Sequence, residues 1–492
     1  MKLLQRITPE DAHRRRWQLL ALTSVGAFIA PLDGSIVSVA LPSMGSDLRL
    51  SFAASMWVQA AYLLTTAVLL IPMGRLADQY GRVRFYLMGI AIFALGSLLA
   101  ALSINGAWLI GSRIVQGAGG ALMIATAAAI TTAAFPPNER GRALGINVMA
   151  VYIGLSVGPP LGGLLVDSLG WRWIFFINLP IGLMVFLWGS MMLPQSERVD
   201  DAPRVDVVGA TLLGLFLINL LVPLTFATEW GWAAPLTIGL LVISAASLVG
   251  FVVVERRVKW PILDLNLLLH NRLFAAANFA ALLNYMALFA ISVLTAIHLQ
   301  IVQGRSASAT GLLILSQPLI MAALSPFSGR LSDRIGSRVL ATGGMVAIAT
   351  GMVLLGLMPE QAPVWQVAAY LALVGLGMAS FSAPNASAIM GSVRRDQLSV
   401  ASSFMGTMRT AGQALSVALL GGIAASQLGR LGGRLLFTHG GSGASGLATK
   451  AVDGYAQGYT YAMLAGAALA LLGALVSLTR GAHVSETATP PH

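Results

Sequence analysis

The stretch Gly74-Arg75-Leu76-Ala77-Asp78-Gln79-Tyr80-Gly81-Arg82 returns 255 residues later as Gly329-Arg330-Leu331-Ser332-Asp333-Arg334-Ile335-Gly336-Ser337-Arg338. Each copy is a short charged break between long apolar runs. Self-similarity at a fixed distance marks a duplicated architecture. The first copy follows the second apolar run and the second copy follows the tenth. The repeated unit is therefore a block of six runs, and a further pair, at about 206–254, lies between the two blocks.

The runs themselves set the environment. The chain has 492 residues, 57% hydrophobic and only 10% charged, whereas a soluble domain carries about 25% charged residues. A membrane helix needs ~20 mainly apolar residues. Fourteen stretches qualify, at 17–41, 53–73, 85–104, 107–133, 143–166, 173–193, 207–227, 233–254, 273–297, 306–328, 339–358, 363–390, 398–425 and 459–479. The expectation is an all-α integral membrane protein of fourteen transmembrane helices, built as two six-helix pseudo-symmetric halves plus two inserted helices. Spans 1–6 occupy 1–193. Residues 194–272 form a linker that holds spans 7 and 8 and then an amphipathic segment, Arg256 to Arg272, with Pro261, Asp264 and His270. Its Leu-rich pattern suits a helix lying in the membrane interface. Spans 9–14 occupy 273–492, with a long external loop at 426–458 that calls for a hairpin or short helices. No cleavable signal peptide is evident, so the first span is expected to be retained.

Of the 30 Lys and Arg residues, 22 fall on the amino-terminal side of the membrane, 6 on the opposite side, and Arg113 and Arg409 lie inside spans. The positive-inside rule then places both termini in the cytoplasm, and the expected location is the cell's inner, cytoplasmic membrane. The net charge of +11 reports this topology rather than a nucleic-acid surface. The absence of Cys excludes disulfides, thiolate metal sites and a cysteine nucleophile. No nucleophile elbow, phosphate-cradling loop, paired intramembrane carboxylates or metal-spaced His cluster occurs. His298 reads as interfacial at the outer end of span 9. The chain is expected to be no enzyme and to hold no metal or cofactor. With no ATP site, a proton or other ion gradient is left as the energy source.

Among 19 acidic residues only Asp33 lies well inside a span. A charge at bilayer depth costs at least ~2.5–3.5 kcal/mol on insertion scales, which makes it a functional candidate by default. Burial favours its neutral form and a neighbouring cation its charged form, so such a group can exchange protons. Arg113 in span 4 lies at similar depth, within ~5 Å along the membrane normal at 1.5 Å rise per residue. Gln116, one turn on, shares its face and is a further candidate for a cavity wall. Two readings stand: a proton or cation coupling pair, or a permanent structural pair. Arg409 in span 13 either snorkels toward the cytoplasm or lines a cavity. Trp57, Gln59, Tyr62, Asn147, Tyr152, Asn284, Tyr285 and Gln317 are polar or aromatic residues inside spans that suit a cavity wall or ordinary packing. Aromatic rings with one carboxylate suit amphiphilic cations. Gly154, Gly158, Gly162 and Gly163, with Pro159-Pro160 among them, allow close helix approach and a bend in span 5. Asp78 can cap a helix or hold the opposite half through an ion pair.

Five stretches, at the expected span positions, resemble the major facilitator superfamily, specifically its fourteen-span drug/proton antiporters. They are Leu32-Asp33-Gly34-Ser35 through Ala40-Leu41-Pro42; Gly74 through Arg84; Arg113-Ile114-Val115-Gln116-Gly117-Ala118-Gly119-Gly120-Ala121; Gly154 through Pro159 with Gly162 and Gly163; and Trp171-Arg172-Trp173-Ile174-Phe175-Phe176-Ile177-Asn178-Leu179-Pro180-Ile181-Gly182. Ser35 and Ser38 depart from the Thr and Asn that the family often carries. The resemblance covers nearly the whole chain. It implies proton-coupled export of lipophilic, often cationic drugs by a monomer that alternates access, with Asp33 and Arg113 in coupling. It further implies gating roles for the span-5 motif and for the loop residues Gly74, Arg75, Asp78, Gly81, Arg82 and Asp333. An exporter of one lipid or metabolite fits the same motifs, and a non-transporting receptor fits them less well.

Overall fold

The computed structural model describes residues 16–136, 139–192, 206–262, 265–394, 397–437 and 446–480. The first block comprises α1 (Arg16–Asp47), α2 (Phe52–Tyr80), α3 (Arg82–Ala101), α4 (Gly106–Ala134), α5 (Arg140–Leu169), α6 (Trp173–Phe176) and α7 (Asn178–Met192). The inserted pair is α8 (Val207–Trp230) and α9 (Pro235–Glu255), followed by the short α10 (Leu265–His270). The second block comprises α11 (Arg272–Ile297), which runs on into a π-helical turn at His298–Val302, then α12 (Ala307–Ile314), α13 (Ser316–Ile335), α14 (Ser337–Gly356), α15 (Val364–Gly391), α16 (Leu398–Ala425), α17 (Gly429–Leu435) and α18 (Gly446–Leu478).

Helix starts follow from capping side chains, which satisfy backbone N–H groups that have no partner within the helix. Asn105 accepts from the Trp108 N–H at 2.9 Å, Asn271 from Phe274 at 2.9 Å, Ser306 from Ala309 at 3.2 Å and Asp206 from Gly209 at 2.8 Å. The duplicated motif has a matching backbone signature. Gly81 ends α2 at φ +112° and Gly336 ends α13 at φ +87°, 255 residues apart. Only glycine takes such angles without strain. The helices themselves run through the motif to Tyr80 and to Ile335, so the expected turn is a single glycine rather than a loop.

Thirteen helices among the described residues are long and apolar enough to cross a membrane. Two contain breaks: α6 and α7 share one span, as do α12 and α13. The thirteenth of the fourteen expected spans, α16, is 28 residues long but is not among the thirteen; it carries Arg409 and Gln413 in a Ser- and Thr-rich sequence. It nevertheless packs inside the bundle, against α11 and α2. The expected external loop 426–458 is largely helical, because α17 occupies 429–435 and the last span begins at Gly446. The interfacial helix contracts to the six residues of α10, and Asp264 lies outside the described residues. His298 is buried and stacked on Tyr459 at 4.4 Å, not interfacial.

Candidate functional site

Asp33 sits at the centre of a buried polar cluster. Its Oδ2 lies 2.5 Å from Arg113 Nη1, with both side chains fully buried. Its Oδ1 accepts from Gln116 Nε2 at 2.8 Å and from Asn178 Nδ2 at 3.1 Å. Both amides also reach Ser97 Oγ, at 2.8 and 3.3 Å. Arg113 donates through Nε to the Val58 carbonyl at 3.0 Å and through Nη1 to Gln116 Oε1. Five elements, α1, α2, α3, α4 and α7, thus converge on one carboxylate. A charge at this depth is tolerated only when it is paired and hydrogen-bonded. Two polar atoms remain without partners, Arg113 Nη2 and Asn178 Oδ1. Asn178 and Ser97 escaped the sequence reading as cluster members. The signal for Asn178 was present, because a polar residue stands beside Pro180 at the point where α6 breaks into α7.

Between the two halves lies a cavity of about 540 Å³, within the size range of drug-sized sites. Its wall includes Gln59 and Tyr62 from α2, Asn147 and Tyr152 from α5, Tyr285 from α11, Gln317 from α13 and Arg409 with Gln413 from α16. Arg409 therefore lines the cavity, which decides between the two readings of this residue. Asp33, Arg113 and Gln116 are absent from the wall. The Arg113 guanidinium instead sits 4.6 Å over the Tyr62 ring, and Tyr62 faces the cavity. Gln116, expected in the cavity, is spent on Asp33 and Ser97. Trp57, also expected there, stacks at 6.0 Å on Phe226 of the inserted helix α8. Asn284 is fully buried away from the wall, and neither of its amide atoms has a partner. Asn147 is on the wall, but Ser24 Oγ donates to its Oδ1 at 2.7 Å and its Nδ2 donates to Thr131 at 2.9 Å.

The span-5 glycines, taken with Gly311 of α12, divide into two groups. A Cβ at Gly154 or Gly158 would meet Phe28 or Ser35 of α1, within the same half. A Cβ at Gly163 would meet the Ala307 backbone at the start of α12, and one at Gly311 would meet the Pro159 carbonyl. Only this second group joins the halves. It does so on the face opposite the amino terminus, where Gln300 Nε2 also donates to Val39 O at 2.8 Å and Ser308 N to Asp167 Oδ2 at 2.8 Å. Pro159 lies on the cavity wall and Gly162 packs on Ile36.

At the duplicated motif, Arg82 Nε donates to Asp78 Oδ1 at 2.6 Å, so among the described residues Asp78 pairs with its neighbour across Gly81 and not with the opposite half. Arg75 donates to the Trp260 carbonyl at 2.7 Å and to the Pro261 carbonyl, which ties the first half to the linker. Gly74 packs near Ala125 of α4. Asp333 lies near the end of α13, and its side chain lies outside the described ones. Arg480, counted on sequence as a loop charge, is buried against Asn385 Oδ1. Burial pushes its guanidinium down to about 10, so it stays charged at neutral pH.

The profile of the Major Facilitator Superfamily matches residues 23–269 and 277–491. The chain is 31% identical over 416 residues to the riboflavin transporter RibZ of Clostridioides difficile, covering 84% of this chain and 90% of the relative. It is 36% identical over 420 residues to the multidrug resistance protein Stp of Mycobacterium tuberculosis, covering 84% and 77%. The solved structure of a bacterial homologue of the human lysosomal transporter Spinster, inward-facing and unoccupied, superposes with a TM-score of 0.66 over 94% of this chain and 96% of that one, at 16% identity. That last likeness concerns the fold alone.

Proposed function

Since the chain belongs to the Major Facilitator Superfamily, we propose that it exports lipophilic, drug-like molecules in exchange for protons, by alternating access of the central cavity. It is a transporter and not an enzyme, and a multi-pass protein of the cell membrane. The reading adds fourteen spans with α16 as one of them, both termini in the cytoplasm, and action as a monomer. The observation that carries it is the placement of Asp33: a buried carboxylate held by three side chains, one residue away from the cavity wall. Protonation of Asp33 removes its charge from the pair. Arg113 is then left to re-partner, and Tyr62 is the ring it already touches. A proton can in this way alter the cavity wall without meeting the substrate.

A second reading, export of one metabolite, draws on the riboflavin transporter among the relatives. Both are tested in one experiment. Purified protein is reconstituted into vesicles with a trapped pH-sensitive dye and an imposed pH gradient. Substrate movement should be accompanied by proton flux in the opposite direction, and Asp33→Asn should abolish the flux. Substrate transport of undiminished rate and gradient dependence in Asp33→Asn would sink the coupling assignment. A response to one compound across a chemically broad panel would select the metabolite reading.

A further inference from the structure

The charge of the cavity wall is opposite to the one that amphiphilic cations need. Among the described residues that line it there is no Asp or Glu, and the one charged side chain is Arg409. The Asp33–Arg113 pair is closed within the first half and sums to no net charge. The Arg409 guanidinium makes no ion pair and no hydrogen bond with any described residue, and it shares the wall with Tyr285. An unpaired guanidinium between membrane helices is held at a cost that a bound anion would offset.

The rest of the wall narrows the ligand further. Tyr62, Tyr152, Tyr285 and Phe289 contribute aromatic faces, which pack well on flat rings. Gln59, Gln317 and Gln413 bring side-chain amides to the wall, and Gln59 uses its Nε2 on the Gly34 carbonyl at 2.9 Å. A few amides on an otherwise apolar wall suit a ligand that brings hydrogen-bond donors of its own. Arg is moreover the side chain best matched to a carboxylate, through two parallel N–H donors.

We propose that the substrates of this cavity are flat aromatic acids that carry hydroxyl or N–H donors, with Arg409 as the residue that selects for the acid. This deepens the export reading above and rests on it for the direction of transport. It reverses the cationic preference that a carboxylate in the cavity would have imposed, because Asp33 is not on the wall.

The test uses three ligands that share one aromatic body, pyrenebutyrate, pyrenebutyramide and pyrenebutylammonium. Binding is measured by equilibrium dialysis against wild-type protein in nanodiscs, with empty nanodiscs subtracted for lipid partition. The carboxylate should bind about tenfold more tightly than the ammonium compound, the scale of one charge-assisted contact, with the amide between. Arg409→Gln should remove the advantage of the acid over the amide, and Arg409→Lys should keep most of it. Equal or tighter binding of the ammonium compound overturns the proposal, as does an acid preference that survives Arg409→Gln. The wild-type ranking decides the matter if neither variant folds. Transport of the same compounds under a pH gradient separates the two levels. Gradient-driven movement of the ammonium compound alone defeats the substrate class and spares the export reading. Binding of the acid without gradient-driven movement of any of the three defeats the export reading and spares the substrate class.

Discussion

The guanidinium of Arg113 lies 4.6 Å over the ring of Tyr62, and Tyr62 forms part of the cavity wall. Tyr62 is buried, and cation–π attraction is strongest where water is excluded. The buried Asp33–Arg113 cluster and the cavity therefore touch through one aromatic residue while sharing no side chain. Competition between substrate and proton for the same carboxylate, the simplest antiport scheme, does not fit this geometry. If protons drive the proposed exchange, the route this geometry offers runs from Asp33 through Arg113 to Tyr62 on the wall.

Replacement of that ring separates binding from coupling. Tyr62→Leu keeps an apolar side chain in the site but removes the face over which Arg113 sits. Substrate affinity should change by less than about threefold, roughly 0.6 kcal/mol, while protons moved per substrate fall toward zero. Dialysis for affinity and dye-loaded vesicles for proton flux supply the two numbers. Unaltered stoichiometry would remove Tyr62 from the relay.

Asp33→Asn leaves the Arg113 charge buried and unpaired, at a cost of about 3–5 kcal/mol. The single variant should lose thermal stability as well as proton flux, which by itself proves little about coupling. Asp33→Asn with Arg113→Gln removes both charges and should recover most of the stability without recovering flux. Thermal unfolding in detergent and vesicle transport, measured on the same preparations, distinguish the cases. Flux restored together with stability would make the pair a structural device.

The depth of residues was legible in the sequence, and their rotation about the helix axis was not. Asp33 and Arg113 fall at one level because rise per residue is fixed at 1.5 Å, and the structure pairs them at 2.5 Å. The duplicated motif was legible to the residue, down to Gly81 and Gly336. Trp57 and Asn284 were misplaced because α2 and α11 are apolar on every face, which leaves no stripe to say which side meets a neighbour. Trp57 turns to Phe226, and nothing near Trp57 in sequence marks the inserted helix α8 as its partner. Arg409 was undecidable for the same reason, since its depth allowed both snorkelling and a place on the wall.

Gly81 and Gly336 carry equivalent positive φ angles of +112° and +87°. With ψ of 115° and 145° both lie in a region that residues with a Cβ rarely adopt, and an alanine there costs on the order of 1–3 kcal/mol. Gly81→Ala and Gly336→Ala should each lower stability by that amount, and the double variant by the sum, since distant sites add. Thermal unfolding of the three variants reads this. A neutral Gly336→Ala beside a damaging Gly81→Ala would mean that the second copy of the motif has relaxed its turn.

The glycines of α5 and Gly311 of α12 predict two different outcomes from one kind of substitution. Gly163→Leu places bulk against the Ala307 backbone, and Gly311→Leu against the Pro159 carbonyl, at the contact that joins the halves opposite the amino terminus. Either change should prise that face apart. Gly158→Leu meets Ser35 of α1 inside a single half, and should lower stability without opening anything. The chain has no native cysteine, so Ser38→Cys and Met321→Cys, both on the cavity wall, report access from each side. In Gly163→Leu and Gly311→Leu, labelling at Ser38→Cys by an impermeant reagent from that face should rise severalfold, while labelling at Met321→Cys from the amino-terminal face falls. In Gly158→Leu neither rate should move. Equal labelling in all three would reduce the contact at Gly163 and Gly311 to static packing, because a gate that bulk cannot open is not a gate.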